Sequence, residues 1–245
     1  MKLHTRNPVL EFNDEPKLRE SLSAAVFAEQ DLWVASDETT SIERLSTDEG
    51  LIFRHHKTFL LEQLITLPAV GTDLDQEVDI EGMDRFDSYL WVIGSHSIKR
   101  KKVDSKDPDG DEKLIKKLAK TEDSGNRCLL ARIPIIENGS SGELVRSTNP
   151  EPSGNPILNA GSLAGDVRSD ALTDAIRKAH GGSGDTHLAR FLDIPGKDNG
   201  FDIEGLAVTT NKAFVGLRGP VLRGWAVILE VSFQVTDEAE LMLKD

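Results

Sequence analysis

Apolar residues in this chain gather in short runs, and three of those runs share a pattern. Leu90-Trp91-Val92-Ile93-Gly94 and Ala213-Phe214-Val215-Gly216 each close on glycine, and each follows an acidic stretch and a short polar turn. The acidic stretches are Asp79-Ile80-Glu81-Gly82-Met83 and Asp202-Ile203-Glu204-Gly205-Leu206. A weaker copy leads from Ser23-Ala24-Ala25-Val26 to Leu32-Trp33-Val34-Ala35-Ser36, with Glu29-Gln30-Asp31 between its arms. Short apolar runs bounded by turn formers read as strands, and a hairpin that recurs along a chain marks a repeat architecture.

Around the hairpins the pattern fills out to three units, about residues 20–67, 68–165 and 185–235, within one domain spanning 1–245. In the first unit, Ile42-Glu43-Arg44-Leu45 and Leu51-Ile52-Phe53-Arg54 follow the hairpin and complete four antiparallel strands, with Pro8 to Phe12 as a lone strand before them. Two polar insertions, 101–126 and 137–182, interrupt the pattern on either side of a strand from Arg127 to Ile136. Asp111 to Lys120 predicts a short helix in the first. Ser169 to Ala179 predicts another in the second, from its serine cap and the spacing of Leu172, Ala175, Ile176 and Ala179. The expected fold is all-β, a β-propeller-like repeat of four-stranded antiparallel blades with helical insertions. Propellers close with about four to eight blades. Three units therefore predict an incomplete ring, with self-association as one way to complete it.

Charge and composition narrow the function classes. A formal net charge of −13 argues against nucleic acid as a partner, because phosphate contacts need a basic face. The basic islands Lys99-Arg100-Lys101-Lys102 and Lys113 with Lys116-Lys117 read as solvated surface balancing nearby acids. No apolar run approaches membrane-spanning length, so no membrane partner is expected. The N-terminal residues lack the apolar core of a signal peptide, which predicts a cytoplasmic protein. Cys128 stands alone inside Arg127-Cys128-Leu129-Leu130-Ala131 and reads as a buried thiol.

Folding the two strong hairpins at their turns brings Glu81 opposite Gly94 and Glu204 opposite Gly216. Side chains alternate along a strand, so Asp79 and Glu81 are expected on one face, as are Asp202 and Glu204. Ser95-His96-Ser97 and Leu217-Arg218-Gly219 then leave the second strands at the same edge, and Asp37-Glu38 sits at the matching place in the first unit. The first strand of a propeller blade lines the channel, so these groups are expected around one axial mouth.

Clustered carboxylates repel unless something neutralises them. Ca²⁺ or another divalent cation on Glu81, Glu204, Asp79 and Asp202 is one solution. Pairing with Arg218, Lys99 or Arg100 is a second. A third has Glu81 and Glu204 accepting backbone N–H bonds from the adjoining blade. A ligand at the mouth would meet Asp37, Glu38, Ser95 and Arg100. His96, flanked by small polar residues, is a candidate acid/base, and Arg218 a candidate partner for a developing oxyanion. His55, His56, His180 and His187 read as structural.

The leading expectation is a protein that binds a small ligand or divalent cation at the axial mouth. The alternative is a metal-assisted hydrolase of phosphate or carboxylic esters or lactones. The sequence holds no Gly-x-Ser-x-Gly, His-Glu-x-x-His, Walker or Gly-x-Gly-x-x-Gly motif. The acidic stretch Asp104 to Glu112 fails as a calcium loop, with Lys116 where the bidentate glutamate belongs.

Three blocks carry a family resemblance: Glu77-Val78-Asp79-Ile80-Glu81-Gly82, Gly94-Ser95-His96-Ser97 and Gly216-Leu217-Arg218-Gly219-Pro220-Val221. With Leu32-Trp33-Val34-Ala35-Ser36-Asp37-Glu38, they resemble the family called domain of unknown function 3616, from about Ser21 to Val231. The resemblance implies a propeller and assigns no activity. Members of that family continue through a further glycine-rich repeat, in place of which this sequence has the stretch Thr236 to Leu243. The Glu-Gly-Leu-Ala block is more distantly similar to phytase-like esterase and lactonase propellers. By that likeness alone, Glu81 and Glu204 would hold a divalent ion.

Overall fold

The computed structural model describes residues 7–13, 16–47, 50–71, 76–100, 110–122, 125–139, 141–149, 156–179, 187–236 and 241–244. Three curled, largely antiparallel sheets make up most of them. In the first, Leu22–Ala28, Asp31–Ser36, Ser41–Ser46 and Ile52–Leu60 pair in chain order, and Val9–Leu10 adds in parallel beside Ile52 and Phe53. The second orders Ile80–Phe86, Tyr89–Gly94, Leu130–Asn138 and Ser141–Leu144. The third orders Asp202–Val208, Lys212–Leu222, Trp225–Val235 and Leu241–Leu243.

The turn chemistry explains the hairpins. Phe86 pairs with Tyr89 and Ala28 with Asp31, so each loop has two residues, opening on Asp87 (φ 56°) and Glu29 (φ 57°). Left-handed residues at that position match the twist of the strands they join. Trp225 pairs with Leu222 around Arg223 and Gly224, the glycine again at positive φ (77°).

The second sheet buries both faces against its neighbours, which is why Leu90-Trp91-Val92-Ile93 is buried throughout instead of alternating. Trp33, Ile42 and Phe59 of the first sheet pack on Ile80, Leu90 and Val92 of the second. The second sheet's other face, with Trp91, Ile93 and Leu130, packs on Ile203, Val215 and Phe233 of the third. The outer face of the first sheet is covered by Phe12 and Leu18 of the N-terminal segment.

The opening strands of the three sheets lie side by side. Ser23 Oγ donates to Ile80 O at 2.5 Å, and Val208 N donates to Asp84 Oδ2 at 2.6 Å. At Gly82 the second and third sheets approach closely: a Cβ there would lie 2.8 Å from Leu206 N. Only glycine permits that approach.

The expected helices form over Asp111–Leu118 and Ala171–Ala179. Residues 101–109 and His180 lie outside the described residues. The short strands Ser141–Leu144 and Leu241–Leu243, both unread in the sequence, supply the fourth strands of the second and third sheets. Among the described residues, no helix is long and apolar enough to cross a membrane.

Candidate functional site

The opening hairpin of every sheet carries a β-bulge at the same place. Leu22 pairs with Ser36 and Ala24 with Ala35, so Ser23 is the extra residue. Ile80 pairs with Gly94 and Gly82 with Ile93, which leaves Glu81 out. Ile203 pairs with Leu217 and Gly205 with Gly216, which leaves Glu204 out. A bulged residue has no ladder partner, and bulges often sit beside sites because they re-aim a side chain. The register expected from the sequence is thereby corrected by one residue: Ile80, not Glu81, faces Gly94. Strict alternation is not what gathers the acids. The bulges, with Asp79 at φ 57°, aim them instead.

The acids do gather. Asp202 Oδ2 accepts from Arg218 Nε at 2.9 Å and Nη2 at 2.5 Å, and Arg218 Nη1 pairs with Glu204. Asp79 Oδ2 accepts from Ser95 Oγ at 2.5 Å and lies 3.3 Å from Arg127 Nε. Arg127 also reaches Glu77 at 3.4 Å, and Lys99 pairs with Glu77. Asp37 of the first sheet feels the charges of Asp79 and of its neighbour Glu38, so all three sheets contribute. Asp202 Oδ1 is buried and has no hydrogen-bond partner among the described residues.

Electrostatics single out Glu81. Burial and then the charges of Asp79 and Glu204 push its carboxyl up to about 8, against which Arg218 works only partly. Among the described residues nothing donates to it or pairs with it. It is therefore largely protonated at neutral pH. Burial also raises Asp202, opposed by the Arg218 bond, and raises Asp37 together with the Asp79 charge. Arg218 itself is half-exposed, and its carboxylate partners raise its pKa despite burial.

Two expected members of the site lie elsewhere. His96 is fully buried: Nδ1 lies 2.9 Å from Gly94 O and Nε2 2.8 Å from Asp170 Oδ2. Both partners are acceptors, so both ring nitrogens donate and the ring is an imidazolium. Burial works to lower its pKa, and the Asp170 charge and bond outweigh that. Asp170 caps the helix Ala171–Ala179, its Oδ1 accepting from Thr173 N at 2.9 Å. An acid/base role at the mouth does not fit a ring held this way. Arg100 pairs with Asp198 at 2.6 Å and donates to Leu118 O at 2.7 Å, outside the cluster. His56, with Nε2 2.7 Å from Glu43, and His187, with Nδ1 3.2 Å from Arg190, have protein partners.

Arg127 and Glu77 belong to the site and were not read as site residues in the sequence. The Arg127-Cys128-Leu129 run looks like any strand entry, and only the fold carries the guanidinium to Asp79. Among the described residues, no group of three or more His, Cys, Asp or Glu side chains is arranged to hold a metal ion, and the arginines take the carboxylates instead. What the arrangement offers is a concentration of carboxyl oxygens, one held protonated, beside one accessible guanidinium.

Neither a curated protein nor a solved structure matches the chain. A family model described as "Protein of unknown function (DUF3616)" matches residues 21–245, from the bulged hairpin of the first sheet to the last strand of the third. The chain belongs to that family.

Proposed function

We propose that the three sheets are blades of a propeller-like repeat arranged as an arc, and that the mouth their opening strands share binds a small cationic ligand, a divalent cation above all. The observation that carries this reading is Glu81, an unpaired carboxyl pushed up to about 8 inside a cluster that Arg218 only partly neutralises. A cation supplies the positive charge this cluster lacks, and oxygen donors suit hard ions such as Ca²⁺. Entry requires Arg218 to swing off Glu204, which its exposure allows. Binding then expels the Glu81 proton, because an ion favours the carboxylate form.

Calorimetric titration with Ca²⁺, Mg²⁺ and Mn²⁺ at pH 7, in two buffers of different ionisation enthalpy, tests this. The expected result is binding with release of about one proton per ion, and no such release in Glu81→Gln. Absence of binding for every ion, or binding and proton release unchanged in Glu81→Gln, rules the reading out.

A hydrolytic second reading rests on the same residue. Burying His96 removes the proton-transfer group assigned to it, and Glu81 is a carboxyl with the pKa for that task. Arg218 would steady the oxyanion of an ester or lactone. Turnover of any member of a phosphate-ester, carboxylic-ester and lactone panel, lost in Glu81→Gln, would favour it over simple binding.

A further inference from the structure

We infer that the cleft between the short helix Leu61–Leu64 and the strand Gly161–Ser162 binds a small organic anion, a monocarboxylate with an apolar body. The cleft holds about 520 Å³, within the range of pockets that enclose a small molecule. One wall is the segment that leads out of the first sheet, with Leu64, Ile65 and Pro68. The other belongs to the second sheet. Leu129 leads into the strand Leu130–Asn138, and Gly161–Ser162 pairs with that strand at Ala131 and Arg132. Asp79, Glu81, Asp202, Glu204 and Arg218 do not line it, so the cleft is separate from the acidic mouth.

The charge of the lining sets the class of ligand. Acids outnumber bases in this chain, 42 to 29, yet among the described residues that line the cleft there is no carboxylate, and Arg146 is the one charged group. A second cleft, beside Arg85, has the chain's more usual character, with Glu29, Asp31 and Glu137 in its wall. Arg146 spans the two walls. Its backbone carbonyl accepts from Ala160 N at 2.8 Å, and its Nε donates to Leu64 O, at the end of the helix, at 3.2 Å. That bond holds the guanidinium in place. Arg44, Arg100, Arg127 and Arg218 each lie against a carboxylate, and among the described residues Arg146 does not. The N–H groups of its terminal nitrogens are left for a planar carboxylate, which a guanidinium takes through two parallel hydrogen bonds.

Around that charge the surface is apolar. Leu64, Ile65, Leu129 and Leu163, all buried, form the floor of the cleft. Inorganic phosphate would pair with the arginine and gain nothing from such a floor. An amphipathic acid uses both: its head sits on Arg146 while its body covers the leucines, removing apolar surface from water.

A methyl-resolved NMR titration of the full chain with octanoate tests the proposal, with octylammonium and 1-octanol as probes of the same length. Octanoate should shift the methyl signals of Leu64, Ile65, Leu129 and Leu163 and bind more tightly than either of the others. Arg146→Gln should raise the octanoate dissociation constant roughly tenfold or more, as loss of a charge-assisted hydrogen bond does, and leave that of octanol unchanged. Ala164→Trp, at an exposed position in the wall, fills the cleft and should abolish the shifts at an unchanged thermal midpoint. It keeps the test valid if Arg146→Gln loosens the Leu64 contact. Octanoate that leaves those methyls unmoved overturns the proposal. So does equal binding of octylammonium or octanol, or wild-type affinity for octanoate in either variant.

Discussion

Glu81 and His96 lie fifteen positions apart and titrate for opposite reasons. Glu81 is a carboxyl desolvated by burial and then crowded by Asp79 and Glu204, so the folded state holds its proton more tightly than the unfolded chain does. Between about 4.5 and about 8 the native state binds more protons, and stability therefore falls as pH rises through that window. Urea unfolding across this range should show the decline in the wild type and a flatter profile in Glu81→Gln, with the variant the more stable at pH 9. A variant that follows the wild-type curve would show that Glu81 is not the strained group. His96 is held above its usual 6.5 and Asp170 below its usual 3.8, each by the other's charge against the cost of burial. Their contribution is complete between those two ordinary values. It is lost as pH rises through the raised histidine value or falls through the lowered aspartate value. Asp170→Ala should cost about 3–5 kcal/mol at pH 6, because it strands a buried cation. A loss below about 1 kcal/mol, the range of an exposed pair, would mean the ring is solvated. Sequence reasoning reached the identity of the clustered acids and Arg218, since they stand at fixed offsets from the glycines. It missed the direction of His96. The ring's course is set by a left-handed backbone at 96 (φ 54°) and by a carboxylate 74 residues away, neither of which leaves a periodic trace.

At the level of the strand, hairpins with two-residue polar loops were legible because turn chemistry is local. The bulges were not. An extra residue shifts pairing by one without altering the apolar pattern, and Ile80 stays buried in either register. The fourth strands were hidden for a different reason. Ser141–Leu144 is short, polar and glycine-bearing, and beyond its ladder it is held by Arg44 and Asp31 of the neighbouring sheet: Arg44 donates to Gly142 O at 2.5 Å, and Gly142 N donates to Asp31 Oδ2 at 2.6 Å. The close approach of the second and third sheets gives a sharp contrast between two glycines. Gly82→Val should destabilise by about 1–3 kcal/mol, since its Cβ meets Leu206 backbone and the sheets must part. The same change at Gly205 should be nearly neutral. Equal losses at both sites would mean the second and third sheets are not in contact there.

Across the whole molecule, an excess of acids shapes behaviour that no single contact explains. With 42 acidic against 29 basic residues the compact state repels itself. Raising ionic strength from about 10 to about 150 mM shortens the screening length from about 30 to about 8 Å, which should raise the thermal midpoint. At pH 9, where Glu81 is ionised, Glu81→Gln should respond less than the wild type, since part of the repulsion that salt screens has gone. An unchanged or lower midpoint in salt would show that paired charges outweigh the repulsion. The sheet-by-sheet order of the fold could be read from the recurring hairpin. The covering of the first sheet by Phe12 and Leu18, against the openness of the third, could not, because it depends on which faces meet.

Ser23, Glu81 and Glu204 stand outside the hydrogen-bond ladders of their hairpins. Strand pairing therefore places no demand on what side chain these positions carry. The scaffold and its chemistry are separable at the two acidic addresses: an acid or an amide can be exchanged at Glu81 and Glu204 while the sheets keep their register. Ser23 Oγ, by contrast, also ties the first sheet to Ile80 O of the second. Diversification within such a framework needs no compensating change in the core, and under the binding reading proposed above a single substitution at one of the acidic addresses would change which ligand the mouth accepts.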